Sequence, residues 1–312
     1  MAKKKSETTK SKSKTTNAVS KATKPVVAKE TAEAKAVPAK DVSANVPRKL
    51  KLPPSKQDTN KVLRKWHMVA GVVLGLQGLA LAFLGNNTTA PVVLHYSALD
   101  TLATEANKHD VFGVAARQLF DVPIVYVLSA ALLAGAVIYL AAATRFQSKF
   151  EAAMDRGVNV VRWLAYAVGG VLLFDAIALL SGITDLVALK LLGAALVGAC
   201  AAGLAVDLLG PGRPGLSRLL KVTALVSGAL PWLALGGLLA ATLMYDGNLP
   251  AYMYGVYVSG FILSVAIWIA TLFRWQQRGR WANTLYSEKM FLLLGLATAT
   301  ALAWQLFAGA LL

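Results

Sequence analysis

The chain has little cysteine, histidine or charge, and each scarcity excludes something. One cysteine in 312 residues, Cys200, excludes an internal disulfide framework and a cysteine-based zinc site. The three histidines, His67, His95 and His109, share no ligand spacing, so no metal site is expected. Charged residues make up 15%, where an ordinary soluble domain carries about 25%. No Ser/His/Asp set, HExxH, P-loop or GxGxxG stands in a suitable context, and the glycines of 210–215 mark a turn. An enzyme is therefore not expected. What the chain has instead is apolar residue: 56% of the total, with a mean hydropathy of +0.54. That excess points to a membrane protein.

The formal charge of +16 is unevenly spread. Residues 1–65 hold 18 of the 32 Lys and Arg and 5 of the 16 Asp and Glu, so the rest of the chain is nearly neutral. Residues 1–60 combine Lys, Ala, Thr, Ser, Val and Pro with no large apolar face. Such a segment buries too little surface to offset its ordering entropy, which predicts a disordered tail. The lysines are followed by no apolar core of 7–15 residues, so the tail is not a secretory signal peptide. A solvated tail that fixes orientation, docking on anionic lipid, contact with nucleic acid and docking of a cytoplasmic protein partner all remain open for it. Nucleic acid is the least expected of these, because the basic excess is confined to the tail.

Seven apolar stretches follow, at about 64–84, 122–143, 160–181, 186–209, 217–243, 252–273 and 287–310. Each approaches the ~20 helical residues that cross ~30 Å of hydrocarbon. None alternates like a barrel strand. The expected fold is an all-α bundle of seven membrane helices over residues 61–312. Short loops decide its orientation. One set carries Arg145, Lys149, Arg156, Arg162, Arg213, Arg218, Lys221, Arg274, Arg278 and Arg280; the other carries only Lys108 and Arg117. This predicts an integral multi-pass protein, surrounded by membrane lipid, with a cytoplasmic N-terminus and its C-terminus outside. The one long outside loop, about 85–121, has strand-like residues at 91–96 and a candidate partner at 111–120, so a β-hairpin is expected there.

Two charges inside the spans stand out as functional candidates, Asp175 in the third and Lys190 in the fourth. Each lies seven or eight residues from the turn near 183, roughly 10 Å deep. An ion pair or a shared water is one expectation; a snorkelling Lys190 beside a protonated Asp175 is the other. Gln77 offers an interhelical hydrogen bond, and Pro231 a kink in the fifth span. Span four is rich in small residues from Gly193 to Gly203, which suits either packing within the bundle or a homodimer face. Trp163, Trp232, Trp268 and Trp304 are either interface anchors or core aromatics.

Several short motifs occur in a consistent order: Leu119-Phe120-Asp121-Val122-Pro123, Gly157-Val158-Asn159 with Arg162-Trp163 and Tyr166, Gly182-Ile183-Thr184-Asp185-Leu186, Pro231-Trp232, Gly279-Arg280-Trp281, Ser287-Glu288-Lys289 and Ala303-Trp304-Gln305-Leu306-Phe307-Ala308-Gly309. Together they make the chain from Leu63 to Leu312 resemble the heliorhodopsins, the seven-helix rhodopsins of inverted orientation. The resemblance implies a rhodopsin-like bundle around a retinal held by a lysine midway along the last helix, a carboxylate counterion on the third helix, homodimers, and an outside hairpin.

The chain departs from that pattern at both chemical positions. The lysine position reads Ala299, within Ala297-Thr298-Ala299-Thr300-Ala301, and the counterion position reads Ala165, within Arg162-Trp163-Leu164-Ala165-Tyr166. Lys289, the only lysine of the last span, lies ten residues from Ala299, about 15 Å along the axis, too far to replace it. The two losses are coherent, since a buried cation and its carboxylate need each other. The expectation is a retinal-pocket-equivalent site lined by Ala299, Ala165, Tyr166, Trp232, Trp268 and Trp304, with no covalent retinal and no other cofactor. The expected function is signalling, sensory or scaffold work by a protein of photoreceptor ancestry. The alternative is an ion or solute transporter or channel built on Asp175 and Lys190.

Overall fold

The structure is a computed structural model and describes residues 56–312. The expected tail, 1–60, falls almost wholly outside the described residues. Its boundary moves, because the first helix, α1 (Lys56–Leu84), already includes residues 56–60. The reason is packing: Asn60 is buried and its Nδ2 donates to Asp155 Oδ1 at 3.3 Å, and Arg64 Nε donates to the Ala143 carbonyl at 2.9 Å.

After α1 come β1 (Thr89–Leu99), α2 (Thr101–Asn107) and β2 (Phe112–Pro123). The bundle continues with α3 (Ile124–Ala143), a short α4 (Gln147–Asp155), α5 (Val160–Leu180), α6 (Leu186–Leu209), α7 (Pro214–Met244), α8 (Ala251–Trp275) and α9 (Thr284–Ala310). Among the described residues, α1, α3 and α5–α9 are seven helices long and apolar enough to cross a membrane. They match the seven expected spans, each bound moving by a few residues except the start of α1. The connection at 145–156, expected as a loop, contains α4. Pro231 lies inside α7 without ending it.

β1 and β2 form the expected hairpin, antiparallel, with an irregularity between Val92 and Val93. Its tip carries α2, capped by Asp100, whose carboxylate accepts from the Ala103 N–H. The hairpin is fastened to the bundle where α5 turns into α6. Gly182 takes φ +94° there, a conformation that favours glycine. Asp185 follows as the N-cap of α6, accepting from Ala188 N–H at 2.8 Å. The same carboxylate accepts from His95 Nδ1 at 2.9 Å and from the His95 backbone N–H at 3.3 Å, and Val93 N–H donates to the Thr184 carbonyl. Those donors, led by Ala188 N–H and joined by His95, hold the Asp185 carboxyl below the usual carboxylate range.

The core runs between α1, α3, α5 and α9, with Leu128, Leu132, Ile177, Phe291 and Leu306 almost fully buried. α7 and α8 are joined differently. Their backbones approach little, and the seam is filled by Trp232, Phe261 and Trp268.

Candidate functional site

Two adjoining features lie between the helices. The first is a cavity of about 200 Å³ lined by α3, α5, α6, α7, α8 and α9, with Leu74 of α1 also on its wall. On α5 it is lined at helical spacing by Trp163, Tyr166, Gly170, Leu173 and Ile177, with Ala165 and Gly169 beside them. Of the six residues expected to form the site, the structure brings five to this wall: Ala165, Tyr166, Trp232, Trp268 and Ala299. Trp304 is not among the lining residues. Its Nε1 donates instead to Gln77 Oε1 at 3.0 Å, tying α9 to α1 and giving Gln77 the interhelical bond its position predicted. Trp163, left open between anchor and core, is a buried wall residue.

The wall contains no lysine, arginine, aspartate, glutamate or histidine. Most of its polar groups are already engaged. Tyr166 Oη donates to the Phe291 carbonyl at 2.6 Å, and the hydroxyls of Thr271 and Thr298 donate to the carbonyls of Ile267 and Leu294. Ala165 and Ala299, the two positions expected to differ, each bring only a methyl group to this wall.

The second feature is a buried ionic cluster at the α4 end of the cavity, which the sequence reading did not assemble. Arg162 Nη1 meets Glu288 Oε1 at 2.6 Å, and Nη2 meets Asp207 Oδ2 at 2.7 Å. Their side chains are only 2–9% exposed. Asn159 caps α5 through the Arg162 N–H and donates from Nδ2 to Glu288 Oε2 at 2.7 Å. Trp163 and Trp275 both donate their indole N–H to Asp207, at 2.8 and 3.2 Å. The guanidinium also lies over the Phe291 ring, 4.3 Å from its centroid. One cation thus faces two carboxylates, with the extra negative charge spread over indole and amide donors. A void of about 10 Å³, room for roughly one water, separates the cluster from His67 and Tyr139. His67 Nδ1 lies 2.8 Å from the Leu63 carbonyl, so that nitrogen carries the proton.

The cavity and the cluster share two walls: Trp163 and Trp275 line the first and hydrogen-bond within the second. A signal for the cluster existed in the sequence. Asp207 lies in the last turn of α6, where the helix dipole disfavours an acid. An acid kept there calls for a buried cation nearby.

Asp175 and Lys190 make no direct ion pair among the described residues. Asp175 is half-buried and Lys190 is exposed. The small residues of α6 serve packing within the bundle at two points: Gly193 faces Val171 and Gly203 faces the Trp163 ring.

The family model described as heliorhodopsin matches residues 63–311, the whole bundle and its hairpin. No curated protein matches. Among solved structures, the chain is similar to the crystal structure of a light-driven proton pump from Leptosphaeria maculans. That match is 13% identical, covers 83% of this chain and 95% of the other, and has a TM-score of 0.43.

Proposed function

The chain belongs to the heliorhodopsin family, and within that family we propose a member that carries no covalent pigment and works as a sensory, signalling or scaffold protein of the membrane. The observation that carries this reading is the cavity wall, which keeps the aromatic residues and lacks both an amine and a carboxylate. Pumping by a retinal mechanism needs both groups, so no proton is moved by that route, and no catalytic step is assigned. What the bundle retains is a path from cavity to ionic cluster through Trp163 and Trp275. By the loop charges, the cluster lies toward the cytoplasm, and a cytoplasmic protein partner belongs to the same proposal. A homodimer belongs to the same reading. The transporter alternative, which needs Asp175 and Lys190 acting together, has no direct ion pair between the two side chains to favour it.

The test is reductive trapping. The full chain is incubated with all-trans-retinal, treated with borohydride and analysed by peptide mass spectrometry. No retinyl adduct is expected on Lys190 or Lys289, the lysines within α6 and α9. A stoichiometric adduct on either would contradict the reading.

A further inference from the structure

We propose that the connection between α8 and α9 seats the headgroup of an anionic phospholipid, held by Arg278 and Arg280 while the acyl chains lie along α8. The proposal needs only the membrane placement of the bundle, so it stands apart from the absence of a tethered pigment.

Charge comes first. The α6–α7 and α8–α9 connections, with the helix turns beside them, carry Arg213, Arg218, Lys221, Arg274, Arg278 and Arg280. Between Asp207 and Glu288 the only acid in the chain is Asp246, at the far end of α7. Asp207 and Glu288 are themselves held by Arg162. None of the six cations makes an ion pair at 4.0 Å or less among the described residues. The part of the same end built from α1, α3 and α4 is mixed, with Asp58, Glu151 and Asp155 standing among its lysines and arginines. The positive bias that orients a bundle requires no such division between its two halves.

Geometry singles out two of the six. Arg278 N–H donates to the Phe273 carbonyl at 3.0 Å, which folds the chain back over the end of α8. The Arg278 guanidinium then lies over the Phe273 ring, 5.2 Å from its centroid, and Arg280 lies over Tyr286 at 5.6 Å. Trp281 packs between these rings, 6.3 Å from Phe273 and 5.5 Å from Tyr286. One aromatic floor thus carries two exposed arginines. The occupant follows from what lies below it. Val258, Ile262 and Ile269 are exposed and share a face of α8 with Phe273, at spacings of four, seven and four residues. In a bilayer, acyl chains cover that stripe, and a phospholipid packed there brings its phosphate to the level of Arg278. Arginine meets phosphate as a fork of donors and not as a point charge. A headgroup with its own ammonium would add a cation where six already stand, so an anionic one is favoured. A soluble acidic partner would meet the same arginines but would first have to displace the lipid.

The experiment places the full chain in nanodiscs of phosphatidylcholine with a minor share of phosphatidylglycerol, and counts the lipids it retains by native mass spectrometry. The wild-type chain should retain phosphatidylglycerol in preference to phosphatidylcholine. Arg278→Gln with Arg280→Gln should lower that preference roughly 25-fold, the product of a five-fold effect for each cation near an anionic surface. Gln276→Glu, which leaves every arginine in place, should lower it about five-fold. Arg145→Gln with Lys149→Gln removes the same charge from the same end of the bundle and should change the preference by less than about two-fold. Millimolar inorganic phosphate should displace none of the retained lipid. No preference in the wild-type chain would overturn the proposal, and so would an unchanged preference in the Arg278 and Arg280 double variant. An equal fall in both double variants would overturn it too, by making the effect one of bulk charge. Displacement by inorganic phosphate would also overturn it, by making the seat a site for soluble anions.

Discussion

Arg162 is the residue on which three helix ends depend. Removing its charge leaves Glu288 and Asp207 as neighbouring buried carboxylates without a cation, and breaking such a pair costs about 3–5 kcal/mol. Arg162→Met should therefore lower the thermal unfolding temperature in detergent sharply, and adding Glu288→Gln with Asp207→Asn should recover much of the loss. No recovery in the triple variant would mean that the guanidinium acts by packing on Phe291 and not by charge. Ala299 and Ala165 give the complementary prediction. Ala299→Lys with Ala165→Glu places an amine and a carboxylate on the existing wall, and retinal should then yield a coloured, hydroxylamine-sensitive species. A colourless double variant that still folds would show that the wall differs in shape as well as in chemistry. At this scale the sequence was legible where a motif names a position. Ala165, Tyr166, Trp232, Trp268 and Ala299 all reach the cavity. Trp304 does not, because five residues after Ala299 it lies about 140° round α9 and meets Gln77 of α1 instead. Arg162, Asp207 and Glu288 escaped because their meeting is a property of three helix ends in space, separated by as many as 126 residues in the chain.

Helices and hairpin are held by different means, and each has its own prediction. Between α5 and α6 the contact is close: a Cβ at Gly203 would overlap the Trp163 indole. Gly203→Leu should push Trp163 off Asp207 at a cost of about 1–3 kcal/mol, seen as a lower unfolding temperature and a changed tryptophan emission. The hairpin hangs on Asp185. Because the native carboxyl is held below its ordinary range, its contribution is present above that range and is lost as pH falls through the lowered value. The protection of the Val93 and His95 amides, their exchange measured against the intrinsic rate at each pH, should therefore be high near neutrality and fall in acid. Asp185→Asn, which keeps a capping oxygen for α6, should give the low protection at every pH. Exchange in that variant no faster than wild type would place the anchor in the Val93–Thr184 backbone bond alone. Strands and span lengths were legible from β-branched content and apolar run length. The tip helix α2 and the short helix α4 were not: α2 buries nothing, and α4 spans only nine residues, with Phe150, Ala153 and Met154 as its whole apolar stripe, too short a run for a periodic signal.

For the whole molecule, the apolar runs were enough to place seven helices, while the cavity they enclose was not visible in them. Its existence depends on two alanines failing to fill the space between α5 and α9, and on aromatic rings keeping the α7 and α8 backbones apart. The orientation drawn from loop charge is open to a direct check. With Cys200→Ala as background, Ser97→Cys in the hairpin should react with an impermeant maleimide added to intact cells, and Ser148→Cys in α4 should not. The opposite pattern would reverse the proposed sidedness. The account as a whole turns on whether this bundle forms a pigment. Purified full-length protein incubated with all-trans-retinal should show only the absorbance of the free aldehyde, unchanged in its protein-bound fraction by the order in which hydroxylamine is added. A red-shifted band between roughly 400 and 600 nm that hydroxylamine bleaches would contradict it.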